Sequence, residues 1–246
     1  TCRTAAIVCG LSSFITPFMG AGMNVALPAL GREFSMSAVS LGWVTTAYQL
    51  AAAMFLVPFG RYADIKGRKR IFVLGLGVFT VCSLLTAFAP DGGWLIAFRV
   101  LQGFGGAMIF GTGVAILTSV YPAGERGRAL GINTAMTYLG LSLGPVVGGF
   151  LVRAFGWRSI FWSAVPFSLG AMAMAILKLD ADRTDAREEK FDLAGSALFG
   201  AGLVSLMYGF SKLPTVTGIV LTASGLALLV WFASFESRTA SPVLDV

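Results

Sequence analysis

Eight stretches of this chain are each near the length of about 20 residues that carries an apolar helix across a bilayer. Hydropathy places them near Ala5–Leu27, Leu41–Tyr62, Ile71–Ala89, Trp94–Val120, Ala129–Phe155, Ile160–Leu177, Leu193–Phe210 and Val216–Phe235. So many spans leave room for little else. Only 12% of the 246 residues are charged, against about 25% in a soluble domain, so lipid and not water is the solvent for most side chains. The fold class that follows is an all-α integral membrane protein. Basic residues outnumber acidic ones, for a net charge of +6. They sit in short connections between spans, so no nucleic-acid partner is expected. With no His and no Cys-x-x-Cys, the chain has no ligand set for a metal or redox cofactor, and none is expected. Cys2, Cys9 and Cys82 read as small apolar side chains. There is no phosphate-binding loop and no nucleophile constellation, which predicts a protein that is not an enzyme.

The distribution of Lys and Arg orients the spans. With the N-terminus inside, the outer side holds only Arg32, Arg99, Arg153, Arg158 and Lys212 of the 18 basic residues. The expected location is therefore a plasma or inner cell membrane, crossed several times, with a cytoplasmic N-terminus. Trp43, Trp94, Trp157 and Trp162 fall at outer span ends, as an aromatic belt requires.

An internal repeat underlies the first six spans. An offset of 89 positions carries Gly60 onto Gly149, Gly67 onto Gly156, Lys69 onto Arg158 and Ile71-Phe72 onto Ile160-Phe161. Upstream, the same register carries Val25-Ala26 onto Val114-Ala115 and Leu41-Gly42 onto Leu130-Gly131. Each copy has three spans, an odd number, so the copies insert with opposite topology. Inverted three-span repeats are the plan of one half of a secondary transporter, with the substrate path between the repeats. The expected organisation is a six-helix bundle over 1–177, a charged cytoplasmic linker over 178–192 and two further spans over 193–235. A cytoplasmic linker over 236–246 would lead to a C-terminal bundle outside this chain.

Four motifs carry a resemblance. Gly60-x-Tyr62-Ala63-Asp64-x-x-Gly67-Arg68-Lys69-Arg70 resembles the signature between the second and third helices of the major facilitator superfamily, Gly-x-Leu-Ala-Asp-Arg-x-Gly-Arg-Lys. It departs at Tyr62 and Ile65. Arg99-Val-Leu-Gln102-Gly103 resembles the fourth-helix signature of that family. Gly140-x-x-x-Gly144-Pro145-x-x-Gly148-Gly149 resembles the fifth-helix signature of its antiporters, and Asn24-Val-Ala-Leu-Pro28 the first-helix signature of its fourteen-helix drug:proton antiporters. The resemblance covers nearly the whole chain, as the first half plus the central helix pair of such a protein.

The resemblance implies proton-coupled efflux of small lipophilic or cationic compounds by alternating access. It implies a gate built from Gly60, Asp64, Gly67, Arg68, Lys69 and Arg70. Asp64 sits at the unfavourable end of its helix dipole and needs a partner: Arg68, Arg70 or the N-terminus of another helix. It also implies a role in the path and in proton movement for Arg99, the one basic residue well inside a span, where charge marks function; the other reading is that Arg99, about one and a half turns below Trp94, reaches outward to the membrane surface. Gln102, Asn24, Tyr48, Gln49 and Tyr138 are polar groups within spans and candidate cavity liners. In the fifth helix, Pro145 should bend the backbone and the glycines should admit a neighbouring helix. The first helix departs as well: where an acidic residue stands five residues before the Asn in the family pattern, this chain has Met19, and no acid lies in the middle of any span. That opens two other readings. One is a transporter of a defined metabolite or an anion with different coupling. The other is a half-transporter acting as a membrane scaffold or homodimer. The partners expected are a small-molecule substrate, protons, the bilayer and the C-terminal bundle.

Overall fold

A computed structural model describes residues 2–180 and 192–236, and these are helical nearly throughout. The helices are α1 (Cys2–Glu33), α2 (Ala38–Lys66), α3 (Arg68–Ala87), α4 (Gly92–Val120), α5 (Arg126–Phe155), α6 (Arg158–Lys178), α7 (Leu193–Ser211) and α8 (Val216–Glu236). A 3-10 turn, Ala123–Glu125, precedes α5. Eight helices among the described residues are long and apolar enough to cross a membrane. Helices are the solution here because hydrocarbon offers no partner for a backbone N–H or C=O left outside the segment's own ladder.

Three helices, α1, α2 and α6, overrun their hydropathy spans at both ends, whereas α3 stops two residues short of Ala89. α1 continues through Pro17 and Pro28 to Glu33, and α2 extends to Lys66. Hydropathy sees only the apolar part of a helix; the backbone ladder continues into the polar zone until something stops it. Starts are capped by side chains. Ser37 accepts from Ser40 N at 3.2 Å, and Asp91 accepts from Gly93 N and Trp94 N at 2.8 and 3.0 Å. Each supplies one of the acceptors that the first turn of a helix lacks. Most of the expected linkers, 178–192 and 236–246, fall outside the described residues. Lys178 closes α6, and Glu236 closes α8, where it is buried.

The repeat is visible in the backbone. The two glycines with positive φ among the described residues are Gly67 (109°) and Gly156 (80°), which are equivalent under the offset. Each makes the sharp turn between the second and third helix of its copy, a conformation that costs a Cβ-bearing residue energy. Packing repeats as well. α1 lies along α5, and the equivalent α4 lies along α2; α3 packs on both α4 and α6. Within these pairs the contact points correspond. A Cβ on Gly103 would meet the Ala51 Cβ, while one on Gly140 would meet the Phe14 carbonyl; the offset carries 14 onto 103 and 51 onto 140. In the same way Gly111 meets Gly60, and Gly22 meets Gly148. Close backbone approach at small residues is what holds helices together where lipid supplies no hydrophobic contrast. α7 and α8 pair with each other and reach the bundle through α2, where Trp43 and Tyr208 rings lie 5.7 Å apart.

Candidate functional site

The charged turn at the C-terminal end of α2 is not a loop. Gly60–Lys66 forms the last two turns of α2, Arg68–Arg70 the first turn of α3, and Gly67 alone breaks the helix. The two glycines expected to share one task divide it. Gly67 makes the turn, and Gly60 stays helical so that Gly111 of α4 can approach. Of the partners open to Asp64, the structure selects Arg68, whose Nε donates to Oδ1 at 2.7 Å. Both side chains remain about one-third exposed, and an exposed i,i+4 pair contributes only about 0.3–0.5 kcal/mol. Arg68 also donates from Nη1 to the Ala115 carbonyl of α4 at 3.3 Å. Lys69 donates from Nζ to the Ile176 carbonyl at 3.1 Å and the Leu179 carbonyl at 2.5 Å, capping the last turn of α6. The basic run thus does more than set topology, because it ties the turn to the ends of two other helices. Arg70 is exposed.

On the opposite face, the equivalent turn is clasped differently. Glu33, at the end of α1, holds the Arg158 guanidinium at 2.8 Å and accepts the Trp157 indole N–H at 2.6 Å. Trp157 is 3% exposed, so it is part of this clasp and not of a lipid-facing aromatic belt. Glu33 had no sequence signal as a site residue. Glu33→Gln should cost under ~1 kcal/mol, since the amide oxygen can still accept from Trp157. Glu33→Ala leaves a buried indole N–H unsatisfied and should cost about 1–3 kcal/mol. Thermal unfolding of the two purified variants checks that order.

At the centre of the bundle, Arg99 is 1% exposed. It therefore does not reach outward past Trp94 to the membrane surface. Its Nε donates to the Val44 carbonyl at 3.1 Å and its Nη1 to Gln102 Oε1 at 2.5 Å. Its guanidinium carbon stands 4.4 Å from the Tyr48 ring centroid, within range of a cation–π contact. Gln102 in turn donates to Ser83 Oγ at 2.7 Å and lies 3.5 Å from Met19 Sδ. One polar chain, Arg99–Gln102–Ser83, thus joins α4 to α2, α3 and α1. Gln102 takes part in that chain, and Gly103 serves packing against α2. Ser83 gave no signal in the sequence: a lone Ser in an apolar span most often bonds back to its own helix, as Ser83 also does to the Phe79 carbonyl at 2.7 Å.

Beside Arg99 lies a cavity of about 250 Å³ between α1, α2, α4 and α5. Four of the expected path residues line it: Asn24, Tyr48, Gln49 and Arg99. Thr16, Thr45, Phe110 and Leu141 also contribute. The Tyr48 hydroxyl is buried against Gly106 with no hydrogen-bond partner among the described residues. Tyr138 does not line this cavity and is exposed. The α5 motif faces two ways. Gly140, Gly144 and Gly148 are buried against α1, as close packing requires, with Gly149 at the edge of the same contact beside Val25, while Pro145 is exposed.

Comparison with known proteins agrees with this architecture. A family model described as Major Facilitator Superfamily matches residues 9–243. The chain is 33% identical over 249 residues to the multidrug resistance protein Stp of Mycobacterium tuberculosis, a match covering 98% of this chain and 46% of that protein. It is 36% identical over 230 residues to the puromycin resistance protein pur8 of Streptomyces alboniger (92% and 46%). It is 29% identical over 240 residues to the riboflavin transporter RibZ of Clostridioides difficile (98% and 52%). The chain spans about half the length of these curated relatives.

Proposed function

We propose, since the chain belongs to the major facilitator superfamily, that it serves the export of small lipophilic compounds across the cell membrane, coupled to proton entry and worked by alternating access. The observation that carries this reading is the Arg99 cavity. It is a partly polar chamber at the heart of an inverted-repeat bundle, walled by helices from both copies. The names of the relatives support it: two are drug-resistance proteins and one is a riboflavin transporter. Because those relatives are about twice as long, the other wall of the path is proposed to come from a further bundle beyond these residues. The chemistry is binding and exchange of conformations, with no covalent step. Cationic compounds fit this cavity less well than neutral ones, because Arg99 places a like charge on its wall.

In the proposed cycle the turn at Asp64–Arg70 closes the inner side. Its ties to Ala115 and to the end of α6 make α2, α3, α4 and α6 move as one body. The N-terminus is proposed to face the cytoplasm, which puts this turn on the inner face.

Inverted membrane vesicles test coupling directly. With an imposed proton gradient, accumulation of a neutral lipophilic dye should depend on the protein and collapse when a protonophore is added. Accumulation that persists at full rate with the gradient dissipated rules out proton antiport.

A further inference from the structure

We infer that the Arg99 cavity is built to receive an anionic group, a carboxylate in the first instance, on the compound transported. This rests on reading the cavity as the substrate path, and it names a substrate class that a generic lipophilic exporter does not have.

The inference starts from an uncompensated charge. Arg99 is buried, and every polar or aromatic partner it has among the described residues is neutral: the Val44 carbonyl, the Gln102 amide and the Tyr48 ring. No Asp or Glu lies among these partners or among the residues that line the cavity. A buried guanidinium held only by neutral acceptors remains short of a counter-ion. Nε and Nη1 are committed, whereas Nη2 has no hydrogen bond among the described residues.

Other donors stand around the same space. Asn24 and Gln49 line the cavity, are exposed to it, and make no side-chain hydrogen bond among the described residues. Each carries an amide NH₂ with two protons to give. Thr16 and Thr45 donate their hydroxyl protons to the Ser12 and Gly42 carbonyls at 2.9 and 3.1 Å, so they add no donor. The Tyr48 hydroxyl, also without a partner among the described residues, is itself buried against Gly106, so the donors left for the cavity are one charged and two neutral groups on α4, α1 and α2, beside the apolar walls of Phe110 and Leu141. That set suits an acid on an aromatic or aliphatic ring. An ammonium would meet a like charge. The volume of about 250 Å³ is just below the range of ~300–1,000 Å³ for whole ligand pockets, so the cavity takes the acidic end of a larger compound or a small ring acid entire.

Titration calorimetry on the purified full-length protein in detergent tests this with three probes of one shape: 1-naphthoate, 1-naphthamide and 1-naphthylmethylammonium. Naphthoate should bind at least about tenfold more tightly than naphthamide, the margin of a charge-assisted over a neutral hydrogen bond. The ammonium should bind most weakly. Arg99→Gln should bring naphthoate down to the level of naphthamide, and Arg99→Lys should keep part of the preference. If Arg99→Gln fails to fold, the Asn24→Ala/Gln49→Ala double variant serves instead and should weaken naphthoate several-fold more than naphthamide, by removing the neutral donors. Equal binding of acid and amide by the unaltered protein overturns the inference, as does a preference that survives both Arg99→Gln and the double variant. No proton gradient is present in the titration, so a failure of proton coupling leaves its result standing.

Discussion

Asp64→Asn should reach the membrane in normal amount and lose transport by about tenfold or more. The two halves of that expectation have different causes. Locally, the carboxylate contributes little to folding: its pair with Arg68 is one-third exposed and joins neighbouring turns, so losing it should change stability by under ~0.5 kcal/mol. In the proposed gate, the same carboxylate makes a charge-assisted hydrogen bond in one state of the transporter and not the other. Such a bond is worth about 1.5–3 kcal/mol, enough to move a two-state equilibrium by about tenfold or more. Initial rates in vesicles, normalised to protein in the membrane, separate the two. An Asp64→Asn transporter that works at the unaltered rate removes Asp64 from the gate. Arg68→Gln offers a further check. It releases both Asp64 and the Ala115 carbonyl of α4, so it should cost transport at least as much.

A second large effect is expected at the α1–α5 interface. A Cβ at Gly144 would stand 2.6 Å from the Phe18 carbonyl oxygen and 2.7 Å from the Ala21 Cβ. Real Cβ atoms do not come this close to backbone, and α1 can yield only by moving as a whole. Overpacking usually costs about 1–3 kcal/mol, and Gly144→Leu belongs at the upper end or beyond it. The melting temperature in detergent should fall by on the order of 10 °C. Gly131→Leu, on the same helix with nothing within 4 Å of the added Cβ, should leave it almost unchanged. Equal melting of the two variants means that α1 and α5 are not held by close backbone approach.

These two sites also mark how far the sequence can be read. The spans were legible because bilayer solvation acts on each segment separately, and apolar length alone decides it. The repeat was legible because a turn such as that at Gly67 or Gly156 needs glycine wherever it occurs, and both copies kept it at one offset. The glycine stripe on α5 announced a helix contact, though not that α1 would fill it. Arg99 stood out as an intramembrane charge, but the sequence left open whether it reached outward to the surface.

Pairing between helices was not legible in the sequence. Ser83 looks like any other small residue of an apolar span, and Glu33 like any acid at a helix end. They acquire roles only where packing brings Gln102 to one and Trp157 and Arg158 to the other. Asp64 had several basic partners within reach, and the turn at Gly67 selects Arg68. By itself, then, the sequence determined the all-helical membrane class, the segments and the inverted repeat, because those depend on local hydropathy and backbone conformation. Only the tertiary structure decided that Arg99 is buried beside Tyr48 and a cavity free of acidic groups. That outcome depends on which helix faces approach most closely, and close approach is set by contacts between residues distant in the chain.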